Sequence, residues 1–476
     1  MGQSSYVTSA NDKAGTSHTP SSQDEEDGPS SHQATSSRGN ASTEPLHGAE
    51  KEDISANPKD FLRNLTIIPA QRVDSESLSS EKEWPIDFFR AVLLNLMFSL
   101  YRTEETILSK TMLLRSLFMT YLKQLGLFSS AALDIHQQRH CPGTYPPYVA
   151  QARDRYKKLA ALVFQLDAYL ALASGQPPLL HRQEIDVEMA STFGLWNAFG
   201  LDVWSKRLSD EPAGRTAFTV AGMTQSPDSF KSSPLLIEDI ELGLCGVLQA
   251  VWVLAESFPS KSRGYFNTAF QKVLVIDKLD SWKAELDRTN ELINAGNITN
   301  GAAKYLLLAY RGEDDSAAAS LERITTLVRD SMILYYFLKL YTCSSLRISK
   351  IGALQKQIEG RPKQARKLSK YEREALVCAI EVLKIIEGCD PSAACFNPLI
   401  RHALTAGANM TRELTSRQVC ECRTKEGQSG TNMDLQGETE VDGPVVVDSV
   451  RVCICNLDVL MARFEKALDS QQAMVE

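Results

Sequence analysis

The stretch Arg155–Val187, RYKKLAALVFQLDAYLALASGQPPLLHRQEIDV, decides the fold class. Leu159, Leu162, Val163, Leu166 and Leu170 recur at the spacing that lines one face of an α-helix with apolar side chains. Lys157, Lys158 and Asp167 fall elsewhere around the same helix and are expected on its surface. Gly175-Gln176-Pro177-Pro178 ends it, because glycine tolerates the left-handed conformation after a helix and proline cannot continue one. A short acidic phrase, Glu184-Ile185-Asp186-Val187, follows the stop.

The same period recurs on both sides. In WPIDFFRAVLLNLMFSLYR it runs through Phe88, Phe89, Val92, Leu93, Leu96, Met97 and Leu100, and then through Met112, Leu113, Leu117, Tyr121 and Leu125 up to Gly126. Further helices are expected at about 188–208, 235–256, 263–294, 318–348, 368–388 and 450–470. In the fifth of these, Leu376, Ala379, Ile380, Leu383 and Ile386 mark the apolar face. Strand-like alternation is confined to VVVDSVRVCI at 445–454, a run that can equally begin the terminal helix. The expected fold is all-α, a large multi-helix domain behind a disordered N-terminal tail.

Composition divides the chain. Residues 1–56 are rich in Ser and Thr, carry the acidic run DEEDGP and hold few large apolar side chains, so they bury too little surface to offset the entropy of ordering. A linker at 57–83 leads into a helical domain at 84–410, followed by a polar loop at 411–449 and a C-terminal helix at 450–476. Within the domain, Glu211–Ser233 reads as loose, with Pro, Gly and Ser and few anchors. A net charge of -8 and a pI near 5.6 give no sign of a dominant nucleic-acid-binding surface. The first residues lack a secretory pattern, Tyr6 stands where a myristoylation motif prefers Ser or Thr, and no apolar window is long enough for a membrane span. A soluble intracellular chain with no membrane partner is therefore expected, its ten cysteines buried rather than bridged.

No phosphate loop, dinucleotide fingerprint, H-E-x-x-H or G-x-S-x-G motif occurs. His136, His140 and Cys141 have the spacing of a metal corner but no evident further ligands, and DIHQQRHCPG reads as the frayed end of a helix running into a polar loop. Cys420, Cys422, Cys453 and Cys455 make two pairs with a gap shorter than structural zinc sites usually show. Glu313-Asp314-Asp315 offers carboxylates for magnesium, yet it lies just before an expected helix, where Asp315 or Ser316 caps free N–H groups. The basic stretch Lys356–Arg373 reads as the solvated lead into the helix at 368–388. Accordingly no catalytic residue and no metal ligand is assigned, and the residues do not identify a cofactor site.

The order of the pieces in the opening stretch resembles the signature segment of the fungal transcription-factor regulatory domain, the all-helical middle homology region of zinc-cluster and some two-finger regulators. Arg155 and Tyr156 match its basic or aromatic start, and the run Ala161 to Asp167 its apolar helix. Gly175, Gln176, Pro177 and Pro178 match its turn, and Glu184, Ile185 and Asp186 its acidic phrase. FGLWNAFGLDVW at 193–204 suits the helix that follows, and the resemblance spans about 84–345. It implies transcription regulation in the nucleus, through transcriptional partner proteins, a homo-dimer or a small effector among the helices. In that family a separate N-terminal module binds DNA through zinc. Residues 1–56 contain no cysteine, so the Cys-x2-Cys-x6-Cys start of such a module is absent there. Zinc is therefore expected only in a missing or partner module, and DNA is reached only indirectly or through that module. Two alternatives stand beside this reading: a helical metal-dependent transferase or lyase, needing Asp314 and Asp315 to converge with a second carboxylate group, and a helical scaffold unrelated to transcription.

Overall fold

The computed structural model describes residues 83–475 except 103–104, 141, 144, 213, 228–234, 257–264, 295–300, 351–368, 390–396, 416–444, 448–449 and 453–456. The fold is an all-α multi-helix domain with one short β-hairpin. It begins with α1 (Ile86–Ser99) and α2 (Glu105–Leu125), which pack on each other. Phe89, Val92, Leu93 and Leu96 bury the inner face of α1. On α2 the buried face differs from the expected one: Met112, Arg115, Phe118, Met119 and Leu122 point inward, while Leu113 and Leu117 are exposed. Apolar period alone picks the wrong stripe here because a buried arginine, normally a surface marker, lies at its centre. Gly126 follows α2 with φ of +79°, and α3 (Ser130–His140) leads to α4 (Pro146–Ser174), whose first turn accommodates prolines lacking the N–H it does not need.

α4 stops as expected. Gly175 adopts φ of +67°, and a Cβ there would lie 2.7 Å from the Ile348 carbonyl oxygen, so both conformation and space demand glycine. Along α4, Leu159, Val163, Leu166 and Leu170 are buried, whereas Leu162 is exposed. The expected helix at 188–208 is two short ones, α5 (Phe193–Trp196) and α6 (Leu201–Leu208), preceded by extended backbone at Glu188, which bridges to Thr219. Thr192 caps α5 through the Leu195 N–H, and Gly200, at φ of +91°, separates the two. Part of 211–233 is anchored rather than loose: Arg215–Ala217 forms a 3-10 turn, and α7 (Val220–Met223) packs onto the next long helix.

The remaining body is a stack of long helices: α8 (Ile237–Glu256), α9 (Tyr265–Asn294), α10 (Gly301–Ala309), α11 (Ala317–Cys343), α12 (Lys370–Glu387) and α13 (Ile400–Thr415). α11 is the hub, packed against α8, α9, α12 and α13, which explains its near-continuous burial from Ile333 to Cys343. Ser316 caps α11 and Ser369 with Glu372 forms a capping box on α12. α8 and α9 approach closely at Gly243, where a Cβ would sit 2.4 Å from the Trp282 ring. The C-terminal boundaries expected from sequence are corrected: α13 continues to Thr415, beyond 410, and Val445–Val447 pairs antiparallel with Val450–Val452 as β1 and β2. The β-branched valines favour that pleated pairing over the helix expected to start at 450. Only then does α14 (Leu457–Val475) begin, seating Phe464 on Gly407 of α13. All described residues belong to one compact unit, Val73–Glu476, and among them no helix is long and apolar enough to cross a membrane.

Candidate functional site: a cleft walled by the Gly-Gln-Pro-Pro turn

The stretch that decides the fold is held by a buried ion pair. Arg115 of α2 and Asp167 of α4 are each 1% exposed. Arg115 Nε donates to Asp167 Oδ1 at 2.8 Å, and its Nη2 donates to the Pro177 carbonyl oxygen at 3.1 Å. Asp167 Oδ2 accepts the N–H groups of Leu179 and Leu180 at 2.8 and 2.9 Å. Burial pushes the Asp167 pKa up, while the Arg115 charge and the two backbone N–H groups pull it down. Asp167 is therefore a core latch that fixes the chain after Pro178, not the surface residue expected. Lys157 is buried as well, its Nζ 2.6 Å from Glu188.

The other resembling residues divide between scaffold and surface. Tyr156 is buried, edge-on to Trp84 at 5.3 Å. Arg155, Gln176 and Pro177 are exposed, and Pro178 is buried. Glu184 accepts Lys123 Nζ at 2.8 Å and the His181 N–H at 2.8 Å. Ile185 is fully buried, and the Asp186 N–H donates to the Phe128 carbonyl at 2.8 Å. On its other side Val187 accepts the Val220 N–H at 2.8 Å, so the acidic phrase is an extended rib clamped between two turns.

Above this latch lies a cleft of about 430 Å³. Phe164 and Ala168 of α4, Pro178 and Leu180 of the turn, and the facing sides of α8 and α9 line it. The lining is mostly apolar, with Ala250, Val253 and Leu254 from α8 and Leu274 and Val275 from α9. Polar side chains interrupt it: Asp167 and Gln249 within the wall, Arg182 and Lys278 toward solvent, His181, Gln183 and Gln271, and the Cys245 thiol. Burial pushes the Cys245 thiol well up, which keeps it protonated and unsuited as a nucleophile. Gln249 Oε1 is buried without a hydrogen-bond partner, an incomplete feature in an otherwise satisfied wall. A second cavity of about 250 Å³, between α9, α10 and α11, is lined by apolar side chains alone.

The densest group of titratable side chains lies elsewhere, where α4 meets the start of α8. Arg215 grips Asp239 through two N–H groups at 2.7 and 2.9 Å and the Ala190 carbonyl at 2.7 Å. Asp154 accepts from Ser191, Glu211 from Thr192, and Glu238 from the Tyr310 hydroxyl. Lys158 lies 4.0 Å over the Trp196 ring, its pKa lowered to about 8 by burial against the pull of Asp154, Glu238 and Glu211. The carboxylates of Asp154, Glu211 and Asp239 bind backbone N–H groups or Arg215, and the Ser191 and Thr192 hydroxyls donate to Asp154 and Glu211, so this network positions residues 190–192 and 211–215. Sequence reading missed Arg115, Arg215 and Asp239, whose signal is a partner far along the chain.

The other sequence candidates fare differently. His136 is buried in an intact α3: its ring stacks on Trp84 at 4.2 Å and its Nε2 accepts the Trp84 N–H at 3.0 Å. Burial, with the nearby His140 and Arg139, lowers its pKa to about 4, and the occupied Nε2 lone pair leaves it a core histidine rather than part of a frayed end. Asp315 takes φ of +49° and accepts Arg207 Nη2 at 2.8 Å, directed at an arginine instead of a second carboxylate group. Among the described residues no three His, Cys, Asp or Glu side chains cluster as a metal site. Cys141, the pairs Cys420/Cys422 and Cys453/Cys455, and residues 351–368 of the basic stretch lie outside the described residues. Comparison with known proteins finds no matching family model, no matching curated protein and no matching solved structure.

Proposed function

We propose that the chain is a helical binding domain without chemistry of its own, in which the latched turn forms one wall of a ligand cleft. The observation that carries this reading is the 430 Å³ cleft with a mostly apolar lining, bordered by a segment that the buried Arg115–Asp167 pair holds in place. Within that reading, the narrower function is transcription regulation, with the cleft as the input of a regulatory domain in a nuclear protein that reaches DNA through a partner or a separate zinc module. Support for it is the resemblance of the Arg155–Val187 segment, whose helix and turn contribute Phe164, Ala168 and Pro178 to the cleft wall. A ligand acts there only by binding one arrangement of α4, α8 and α9 more tightly than another.

A scaffold role outside transcription is favoured by a different observation. α1 exposes Leu94 and Phe98 and α2 exposes Leu113 and Leu117, each pair one helical turn apart, and such apolar faces suit protein contacts. Tagging the chain at its native locus separates the two readings. Nuclear enrichment with recovery of defined promoter DNA after crosslinking is the result expected of a regulator; cytosolic residence with no promoter recovered refutes that reading and leaves the scaffold.

A further inference from the structure

We infer that the cleft between α4, α8 and α9 takes a small amphipathic organic anion, with its apolar part along Val253, Leu254 and Leu274 and its anionic head at Lys278 and Arg182. The inference rests on reading the cleft as a ligand site and adds the chemical class of the occupant.

Two features converge on that class. The first is charge. The one carboxylate in the lining, Asp167, is already occupied by Arg115 and two backbone N–H groups. Against it stand Lys278, exposed at the rim, and Arg182, whose Nη1 donates to the Thr224 carbonyl at 3.0 Å. Among the described residues neither cation forms an ion pair, so an anion entering the cleft meets positive charge, with the lining carboxylate already paired.

The second feature is polarity along the cleft. Thr224, which holds Arg182, packs over Gly246, where a Cβ would meet it at 2.8 Å. Lys278 lies one helical turn before Trp282, whose ring covers Gly243. Both cations therefore sit toward the start of α8, while Val253 and Leu254 lie two turns further along it. One end is suited to a charged head and the other to a tail. A volume of 430 Å³ is that of a small-molecule site rather than a groove for a folded helix.

Two dyes test this on the full chain. 1-Anilinonaphthalene-8-sulfonate and N-phenyl-1-naphthylamine share a ring system and one N–H and differ by the sulfonate. The sulfonate is expected to bind saturably, about ten-fold more tightly than the neutral dye, and Lys278→Glu to remove that preference while leaving the neutral dye within about two-fold. Ala250→Trp, which fills the cleft, is expected to abolish both signals; Val253→Trp, at the exposed side, serves if the first variant does not fold. Equal affinities in the native chain, or a sulfonate affinity indifferent to Lys278→Glu, overturns the anion assignment and leaves the cleft as a site for neutral ligands. Absence of binding by both dyes, or signals that persist in the filled variants, overturns the cleft itself as a ligand site.

Discussion

Arg115→Met probes the latch. The substitution keeps an unbranched, flexible apolar stem but removes the guanidinium, leaving the Asp167 carboxylate 1% exposed with only the Leu179 and Leu180 N–H groups as donors. It also strips the Pro177 carbonyl of its partner. Removing one member of a buried pair costs about 3–5 kcal/mol, since the other charge is left uncompensated in a poorly polarisable interior. That is a large share of the roughly 5–15 kcal/mol that holds a typical domain together. Urea unfolding followed by circular dichroism should show a correspondingly lower midpoint, and hydrogen exchange at Leu179 and Leu180 should accelerate. Adding Asp167→Asn in the same chain tests the cause. The amide oxygen still accepts both N–H groups, and no charge is left buried, so the double variant should recover about 1–3 kcal/mol relative to Arg115→Met alone. A loss below about 1 kcal/mol for Arg115→Met, or additive effects of the two substitutions, would refute the latch.

Other perturbations test separate parts of the fold. Burial, reinforced by Asp330 and Glu238 and opposed by hydrogen bonds from Tyr169 and Gln165, raises the Glu241 pKa from 4.5 to about 7. The folded chain then keeps a proton that the unfolded chain releases, so this group weakens the fold as pH rises from 4.5 to about 7 and its full penalty persists above. Glu241→Gln should be more stable than the native chain by about 3 kcal/mol at pH 8, with the gap closing near pH 4.5; a pH-independent gap contradicts the assignment. Gly175→Ala combines left-handed backbone with a contact on the Ile348 carbonyl, and a loss of about 2–4 kcal/mol is expected in thermal or urea unfolding. Gly407→Ala should push Phe464 outward, at about 1–3 kcal/mol, and make α14 the first segment released by limited proteolysis. Asp315→Ala removes one of three acceptors of Arg207, for about 1 kcal/mol, and should leave calorimetric titration with magnesium unchanged. Saturable magnesium binding lost in that variant would restore the metal-dependent enzyme as a reading.

Much of the architecture is legible without coordinates. Leu159, Val163, Leu166 and Leu170 announce the core face of α4, Gly175 and the two prolines announce its end, and Ser316 announces the start of α11. These are local signals: helical period, turn conformation and capping depend on neighbours within a few residues. α13 was not legible in the same way. Its inner face spaces Ile400, Leu404, Met410 and Leu414 among the small Ala403, Ala406, Gly407 and Ala408, which let α12 and α14 approach closely. The candidate site was legible only in part: the turn stood out, but the cleft over it did not, because its walls come from α4, α8 and α9.

The sequence by itself determined that this is an all-helical chain, where its principal helices stop, and which segment resembles a regulatory signature. Tertiary structure decided which face of α2 is inside, since Arg115 is buried only because Asp167, fifty-two residues later, meets it. It likewise decided that Lys157 is a core residue, that His136 stacks on Trp84, and that Asp315 serves Arg207. A charged side chain leaves water when a distant opposite charge and a ring of hydrogen-bond donors replace its hydration. That replacement exists only once the helices have packed.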